Sequence, residues 1–134
     1  MTSLAKSLFL CLCLLAWQRT PVCGQVVITE FLASNSTGLA DENGDRSDWI
    51  ELYNSGPLAV DLDGWHLTDD RDDLVKWTFP AVSISSGGYL LVFASDKDRA
   101  PLAGELHANF KLAVKSGYLG LVQSNGTTII HLNT

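Results

Sequence analysis

The sequence predicts an all-β protein, folded as an antiparallel β-sandwich and preceded by a signal peptide. Three observations lead to this prediction. At least seven short, β-rich segments follow one another at the spacing of turns. No window beyond the N-terminal segment has the period of an amphipathic helix. The stretch from Asp48 to Asp69 contains two alternating strands around a Gly-Pro turn, and this alternation is expected to turn Trp49 and Trp65 toward a shared core.

Residues 1–24 are predicted to be a secretory signal peptide. Lys6 precedes a ten-residue apolar run over 8–17, which is shorter than the ~20 residues that a membrane-spanning helix needs. The compact residues at 22–24 predict cleavage before Gln25. An uncleaved membrane anchor and a lipoprotein signal are weaker alternatives, because the apolar run is short and a valine precedes the cysteine.

Charge and cysteine content exclude several classes of function for the remaining domain, 25–134. All three cysteines lie within the predicted signal, so the exported domain can form neither a disulfide nor a thiolate zinc site. Without Lys6 and Arg19, seven basic residues remain against fifteen acidic ones, a net charge of −8. An acidic surface repels phosphate backbones and anionic lipids. We therefore expect the domain to bind no nucleic acid and to make no membrane contact after signal cleavage. The predicted signal peptide indicates a secreted, periplasmic or cell-surface location.

The first half of the domain is predicted to contain five strands. The opening segment is β-branched and roughly alternating, and the next alternates strictly before a Ser-Gly-Pro turn. The segments 60–63 and 65–68 are expected to form either a strand pair or one strand bent at Gly64, where a bulge is predicted. The predicted strands are 25–33, 48–54, 60–63, 65–68 and 75–79.

The second half is predicted to contain five more strands. The segment 89–94 is apolar on both faces, which is typical of a central strand covered on both sides. Asn125-Gly126 is the strongest hairpin signal in the chain. Because the sequence ends two residues after Leu132, we interpret the last strand as incomplete or the chain as a piece of a longer protein. The predicted strands are 82–84, 89–94, 107–112, 118–123 and 127–132.

Several of these segments together resemble the lamin tail domain, an immunoglobulin-like sandwich found in nuclear lamins and in secreted bacterial proteins. The opening strand 27–35 is similar to the family's first strand, and 48–54 is similar to its Trp-Ile-Glu-Leu-x-Asn strand. The segment 60–69 resembles its Val-Asp-Leu-x-Gly-Trp-x-Leu motif. Weaker similarities follow at 76–80, 88–92 and 107–112.

This resemblance implies an immunoglobulin-like fold more firmly than a function. The nuclear role of lamin tails depends on a nuclear location and basic patches, which an acidic, exported chain would lack. The resemblance therefore implies a secreted bacterial-type member that acts as a non-enzymatic module. Its expected partner is a protein or a cell-surface glycan, and no resident cofactor is predicted.

One acidic loop raises the hypothesis of a calcium site. Asp41, Asn43, Asp45 and Asp48 offer clustered oxygen ligands of the kind that calcium prefers. The loop does not match an EF-hand, since position 6 is Arg46 and position 12 is not glutamate. Two interpretations therefore remain: an irregular calcium site that uses these four residues, or a solvated acidic loop that binds no metal.

A second hypothesis combines this loop with an exposed aromatic ring. Trp77 precedes an extended Phe-Pro segment and is expected to be the most exposed tryptophan of the domain. Exposed aromatic rings can stack against sugars, so Trp77 is the candidate ligand-binding residue. The alternative function is accordingly a calcium-dependent glycan-binding module.

The sequence does not predict an enzyme. It lacks the Gly-x-Ser-x-Gly turn of serine hydrolases and the glycine-rich loops that bind phosphate. Asp48 and Glu51 lie three positions apart on one strand, so they point to opposite faces and cannot act as a carboxylate pair. The three histidines are far apart in sequence and form no zinc-binding motif. No catalytic residue is therefore predicted.

Overall fold

The computed structural model describes residues 26–114 and 117–133, and ten β-strands lie within them. Each of the ten predicted segments contains or overlaps one strand, and most strands are shorter than predicted. The signal peptide predicted over 1–24 lies outside the described residues. The strands are β1 (Val26–Leu32), β2 (Asp48–Asn54), β3 (Val60–Asp61), β4 (His66–Thr68), β5 (Trp77–Thr78), β6 (Ser83–Ile84), β7 (Tyr89–Ala94), β8 (Leu106–His107), β9 (Leu119–Val122) and β10 (Ile129–Asn133).

Two four-stranded sheets build the sandwich. One sheet has the order β1-β2-β7-β8, and the other has the order β10-β9-β4-β5. A short β3-β6 ribbon stands apart from both. The prediction of a purely antiparallel sandwich is wrong at one pair, because β8 runs parallel to β7. The connection from β7 to β8 loops out through 95–105, so β8 can return beside β7 in the same direction.

The core lies between the sheets and draws on both. Most of its side chains are less than a tenth exposed, which is typical of a well-packed small domain. The first sheet contributes Val26, Ile28, Ile50, Leu52, Val92, Ala94 and Leu106. The second sheet and the segments beside it contribute Trp65, Leu67, Trp77, Phe79, Leu119 and Leu121.

The two tryptophans predicted to share this core have different positions. Trp65 is buried, as expected. Trp49 is half-buried and lies outside the core cluster. The alternation of β2 explains the difference, because Ile50 and Leu52 face inward and the side chain of Trp49 must then leave from the opposite face.

The asparagine that ends β2 has a structural role. Asn54 is fully buried, and its Nδ2 donates to the carbonyls of Leu58 and Ile84 at 2.7 and 3.0 Å. Its Oδ1 accepts the N–H of Gly56 at 3.0 Å. The side chain thus satisfies the backbone of the Ser-Gly-Pro turn. This motif position supports the turn and offers nothing to a ligand.

The bend predicted at Gly64 is present. Gly64 has φ of +74°, a conformation that glycine adopts without steric cost. The N–H of Trp65 donates to the carbonyl of Leu62 at 2.9 Å, which closes the turn between β3 and β4. The hairpin predicted at Asn125-Gly126 is also present, between β9 and β10.

The first and last strands meet at one edge of the sandwich. The N–H of Ile28 donates to Nδ1 of His131 at 2.9 Å, so a side chain of β10 satisfies a backbone group of β1. A bulge at Thr29 interrupts the β1–β2 register beside this contact. Within residues 26–114 and 117–133, no helix is long and apolar enough to cross a membrane.

Candidate functional site

The acidic loop before β2 is organised around a buried carboxylate. The side chain of Asp41 is fully buried, and its Oδ1 accepts the N–H groups of Asn43 and Asp45, both at 3.0 Å. The hydroxyl of Ser47 donates to its Oδ2 at 3.2 Å. The loop therefore folds around Asp41, as short Asp-led turns do.

The ammonium of Lys97 occupies the centre of the predicted calcium cluster. Its Nζ lies 2.5 Å from Oδ2 of Asp41, 2.8 Å from Oδ2 of Asp45 and 3.0 Å from Oδ1 of Asn43. Burial alone would raise the pKa of Asp41, but the hydrogen bonds from Lys97 and the loop outweigh it and lower the pKa to about 2. Three of the four predicted ligands therefore converge, and the cation that they bind belongs to the protein.

Asp48, the fourth predicted ligand, binds different partners from the other three. Its Oδ1 accepts the N–H of Ser34 at 2.8 Å, and its Oδ2 accepts the N–H of Leu112 at 3.1 Å. The carboxylate thus ties the start of β2 to the end of β1 and to the segment after β8. The contacts of these four residues therefore give no support to a calcium site that uses all of them.

Trp77 does not present a surface for a ligand. Only 2% of the residue is exposed, and its ring packs edge-on against Phe79 at a centroid distance of 4.9 Å. The expectation that Trp77 is the exposed tryptophan is therefore wrong. β5 pairs with β4 at the edge of the second sheet, which turns the indole inward with the rest of the core.

A buried histidine that belongs to no sequence motif lies beside the acidic loop. His107 on β8 is fully buried, and its ring stacks on Phe93 at 5.4 Å. Its Nδ1 lies 2.9 Å from Oγ of Ser95. Burial lowers the pKa of His107 and so favours the neutral form of the ring.

Two glutamates flank the other nitrogen of this ring. Nε2 of His107 lies 3.9 Å from Oε1 of Glu42 and 3.7 Å from Oε2 of Glu105. Arg99 pairs with Glu42 at 3.0 Å. These residues are distant in sequence, and the return of β8 along β7 brings them together. Spacing along the chain carried no signal for this cluster.

The Ser95–His107 contact is a structural one. The hydroxyl of Ser95 also accepts the N–H of Lys97 at 3.2 Å, and the residue is 8% exposed. A similar hydroxyl–imidazole contact joins Thr78 and His66 at 2.9 Å elsewhere in the fold. Both contacts hold a buried histidine, and neither presents a free nucleophile to solvent.

The described surface includes a polar groove and an apolar groove. A polar groove of about 500 Å³ runs between the acidic loop and the end of β7, and Lys97 and Lys111 bring positive charge to it. An apolar groove of about 260 Å³ lies where the end of β1 meets the segment before β9. The described residues that line this apolar groove are Phe31, Ala33, Asp69, Leu112, Ala113, Val114, Gly117, Tyr118, Leu119 and Asn133.

Large apolar side chains remain exposed at the apolar groove. Phe31 is 41% exposed and Val114 is 70% exposed. Clustered exposure of this kind is typical of a contact surface, whereas scattered exposed leucines need no explanation.

A comparison with protein families agrees with the fold and with its motifs. Residues 19–133 match the family model of the Lamin Tail Domain. The chain belongs to the lamin tail domain family. No curated protein matches it. The match spans both sheets, so the resemblance seen in the sequence motifs is confirmed at the level of the family.

Membership explains which motif residues matter for the fold. In this lamin tail domain, Asn54 holds a turn, Trp65 fills the core and Asp48 ties three segments together. The family is an immunoglobulin-like module that typically mediates interactions and is not a catalytic fold. A binding surface is therefore to be sought outside the motifs, among the loops and strand ends.

Proposed function

We propose that this lamin tail domain is an exported, non-enzymatic module of the secreted bacterial type, which binds a protein or cell-surface partner through its apolar groove. The observation that carries the proposal is the clustered exposure of Phe31 and Val114 at that groove. Burying such side chains in an interface stabilises it by roughly 25 cal/mol per Å² of apolar area. The net negative charge disfavours nucleic acid as the partner.

Export is tested by the intact mass of the protein recovered outside the cell. We expect cleavage before Gln25 and a mature chain without cysteine, because the apolar run of 8–17 and the compact residues at 22–24 fit a signal peptidase site. A recovered mass that includes Cys23, or that carries a lipid, would contradict this expectation.

Binding through the apolar groove is tested with a charged double variant, Phe31→Glu/Val114→Glu. Exported parent protein is expected to stay on the surface of the producing cells, and the variant is expected to be released at least tenfold more. Leu58→Glu is the matched control, because Leu58 is 66% exposed on the turn after β2, outside the groove. Retention that is equal in parent and double variant would contradict the proposal, provided that both melt at the same temperature.

The calcium-dependent glycan-binding alternative has less support. Lys97 occupies the oxygen cluster, and Trp77 is buried. Both residue sets that motivated this function are therefore engaged inside the protein. A calcium-specific rise in melting temperature, beyond that given by magnesium at equal ionic strength, would restore it.

A further inference from the structure

We propose that Glu42, Glu105 and His107 form a binding site for a divalent transition-metal ion of the zinc type. One oxygen from each carboxylate and one nitrogen of the imidazole all lie within 4.8 Å of one another. The proposal goes beyond the role of the apolar groove and does not depend on it.

The strongest observation is an unpartnered nitrogen. Nε2 of His107 is buried and has no hydrogen-bond partner among the described residues. Leaving such a group unsatisfied is energetically costly, so buried polar atoms of this kind usually have a partner. The carboxylate oxygens of Glu42 and Glu105 lie 3.9 and 3.7 Å from this nitrogen, which is too far for a hydrogen bond.

The gap between these atoms fits a metal ion. Zinc binds histidine nitrogen and carboxylate oxygen at roughly 2.0–2.2 Å, which places neighbouring tetrahedral ligands about 3.4 Å apart. His107 is held by its burial, whereas the side chains of Glu42 and Glu105 are 45% and 38% exposed. Small movements of the two glutamates would complete the geometry, and their exposed side leaves room for water as a further ligand.

The surroundings of the imidazole suit a metal ligand. Metal-binding histidines usually donate their second N–H to a neighbouring oxygen, which fixes the ring and frees the other nitrogen. Oγ of Ser95, 2.9 Å from Nδ1, can accept that proton, and the ring of Phe93 holds the imidazole plane. The N–H of Glu42 donates to Oε2 of Glu105 at 2.6 Å, which orients the second carboxylate.

The donor set also indicates the class of ion. One imidazole and two carboxylates suit zinc and neighbouring first-row ions, whereas calcium prefers oxygen alone. Arg99 competes for the site, since its guanidinium lies 3.0 Å from Oε1 of Glu42. A metal ion must displace this contact, so removal of the arginine should strengthen binding.

The proposal is tested by calorimetric titration of the folded exported domain with zinc chloride at pH 7.5. The parent is expected to bind one zinc ion per chain. Glu105→Gln and Glu42→Gln are expected to weaken binding at least tenfold, and Arg99→Gln is expected to strengthen it severalfold. Glu30→Gln, an exposed glutamate on β1, is the matched control and should leave the affinity unchanged. Melting curves establish that each variant is folded.

Four results would overturn the site. The first is the absence of saturable zinc binding by the parent. The second is unchanged affinity in the Glu42→Gln/Glu105→Gln double variant, which would locate the ion elsewhere, for example at His131. The third is an equal loss in Glu30→Gln, and the fourth is calcium binding as tight as zinc binding.

Discussion

Replacing Trp65 with alanine is expected to lower the free energy of unfolding by about 3–5 kcal/mol. Trp65 is 8% exposed and belongs to the cluster of buried residues between the two sheets. Its removal forfeits apolar burial and leaves a cavity that the surrounding strands can fill only in part. Because small domains are stable by only ~5–15 kcal/mol, the loss is a large share of the parent's stability. The difference in urea midpoint between variant and parent measures the effect.

Trp49→Ala is the matched control, since it removes the same side chain from the half-buried outer face of β2. It is expected to cost clearly less than Trp65→Ala. Equal midpoints for parent and Trp65→Ala would mean that Trp65 is not in the core. Equal losses in the two variants would mean that the inner and outer faces of the first sheet are wrongly assigned.

Replacing Lys97 with methionine is expected to destabilise the domain by about 3–5 kcal/mol, because it leaves the buried carboxylate of Asp41 without its cation. Chemical denaturation at pH 7 measures the loss. Lys111→Met is the control, since Lys111 is an exposed lysine on the same polar groove. Its removal should change stability by less than about 0.5 kcal/mol.

Two further measurements separate loss of the ion pair from loss of packing. The first is a double variant: Asp41→Asn/Lys97→Met should be more stable than Lys97→Met alone, because the unpaired charge is gone.

The second is the pH dependence of stability. The pKa of Asp41, about 2 in the folded parent, lies below its ordinary 3.8. The contribution of the carboxylate is thus complete above pH 3.8 and is lost as the pH falls toward 2. The stability difference between parent and Lys97→Met should shrink over that range, and a constant difference would argue against the ion pair.

Most of the fold could be predicted because its strands carry local signals. β2 and β7 have the bounds that alternation and apolar runs predicted, and the Asn125-Gly126 turn lies where the hairpin signal placed it. The parallel pairing of β8 could not be predicted. A two-residue strand has no measurable period, and its partner is chosen by the route of the chain through 95–105.

The candidate sites were harder to predict because their chemistry depends on distant partners. The oxygen cluster around Asp41 was visible in the sequence, but Lys97, which fills it, lies 56 positions further along the chain. His107 likewise reaches Glu42 only through the β7–β8 pairing. Trp77 is buried because β5 pairs with β4, and the residues next to Trp77 in the sequence carry no signal for this pairing.

The hydrogen bond between Ile28 and His131 has a consequence for the folding rate. It joins residues 103 positions apart, so the first strand acquires its last partner only when nearly all of the chain is in place. Closing so long a loop costs conformational entropy before the contact can stabilise the fold. Because of such non-local contacts, β-sandwiches typically fold in milliseconds to seconds. Until β10 docks, the N–H of Ile28 is one more unpaired group on the edge strand β1, to which another chain can bind. The interval before docking is therefore the period in which this domain is most prone to aggregate.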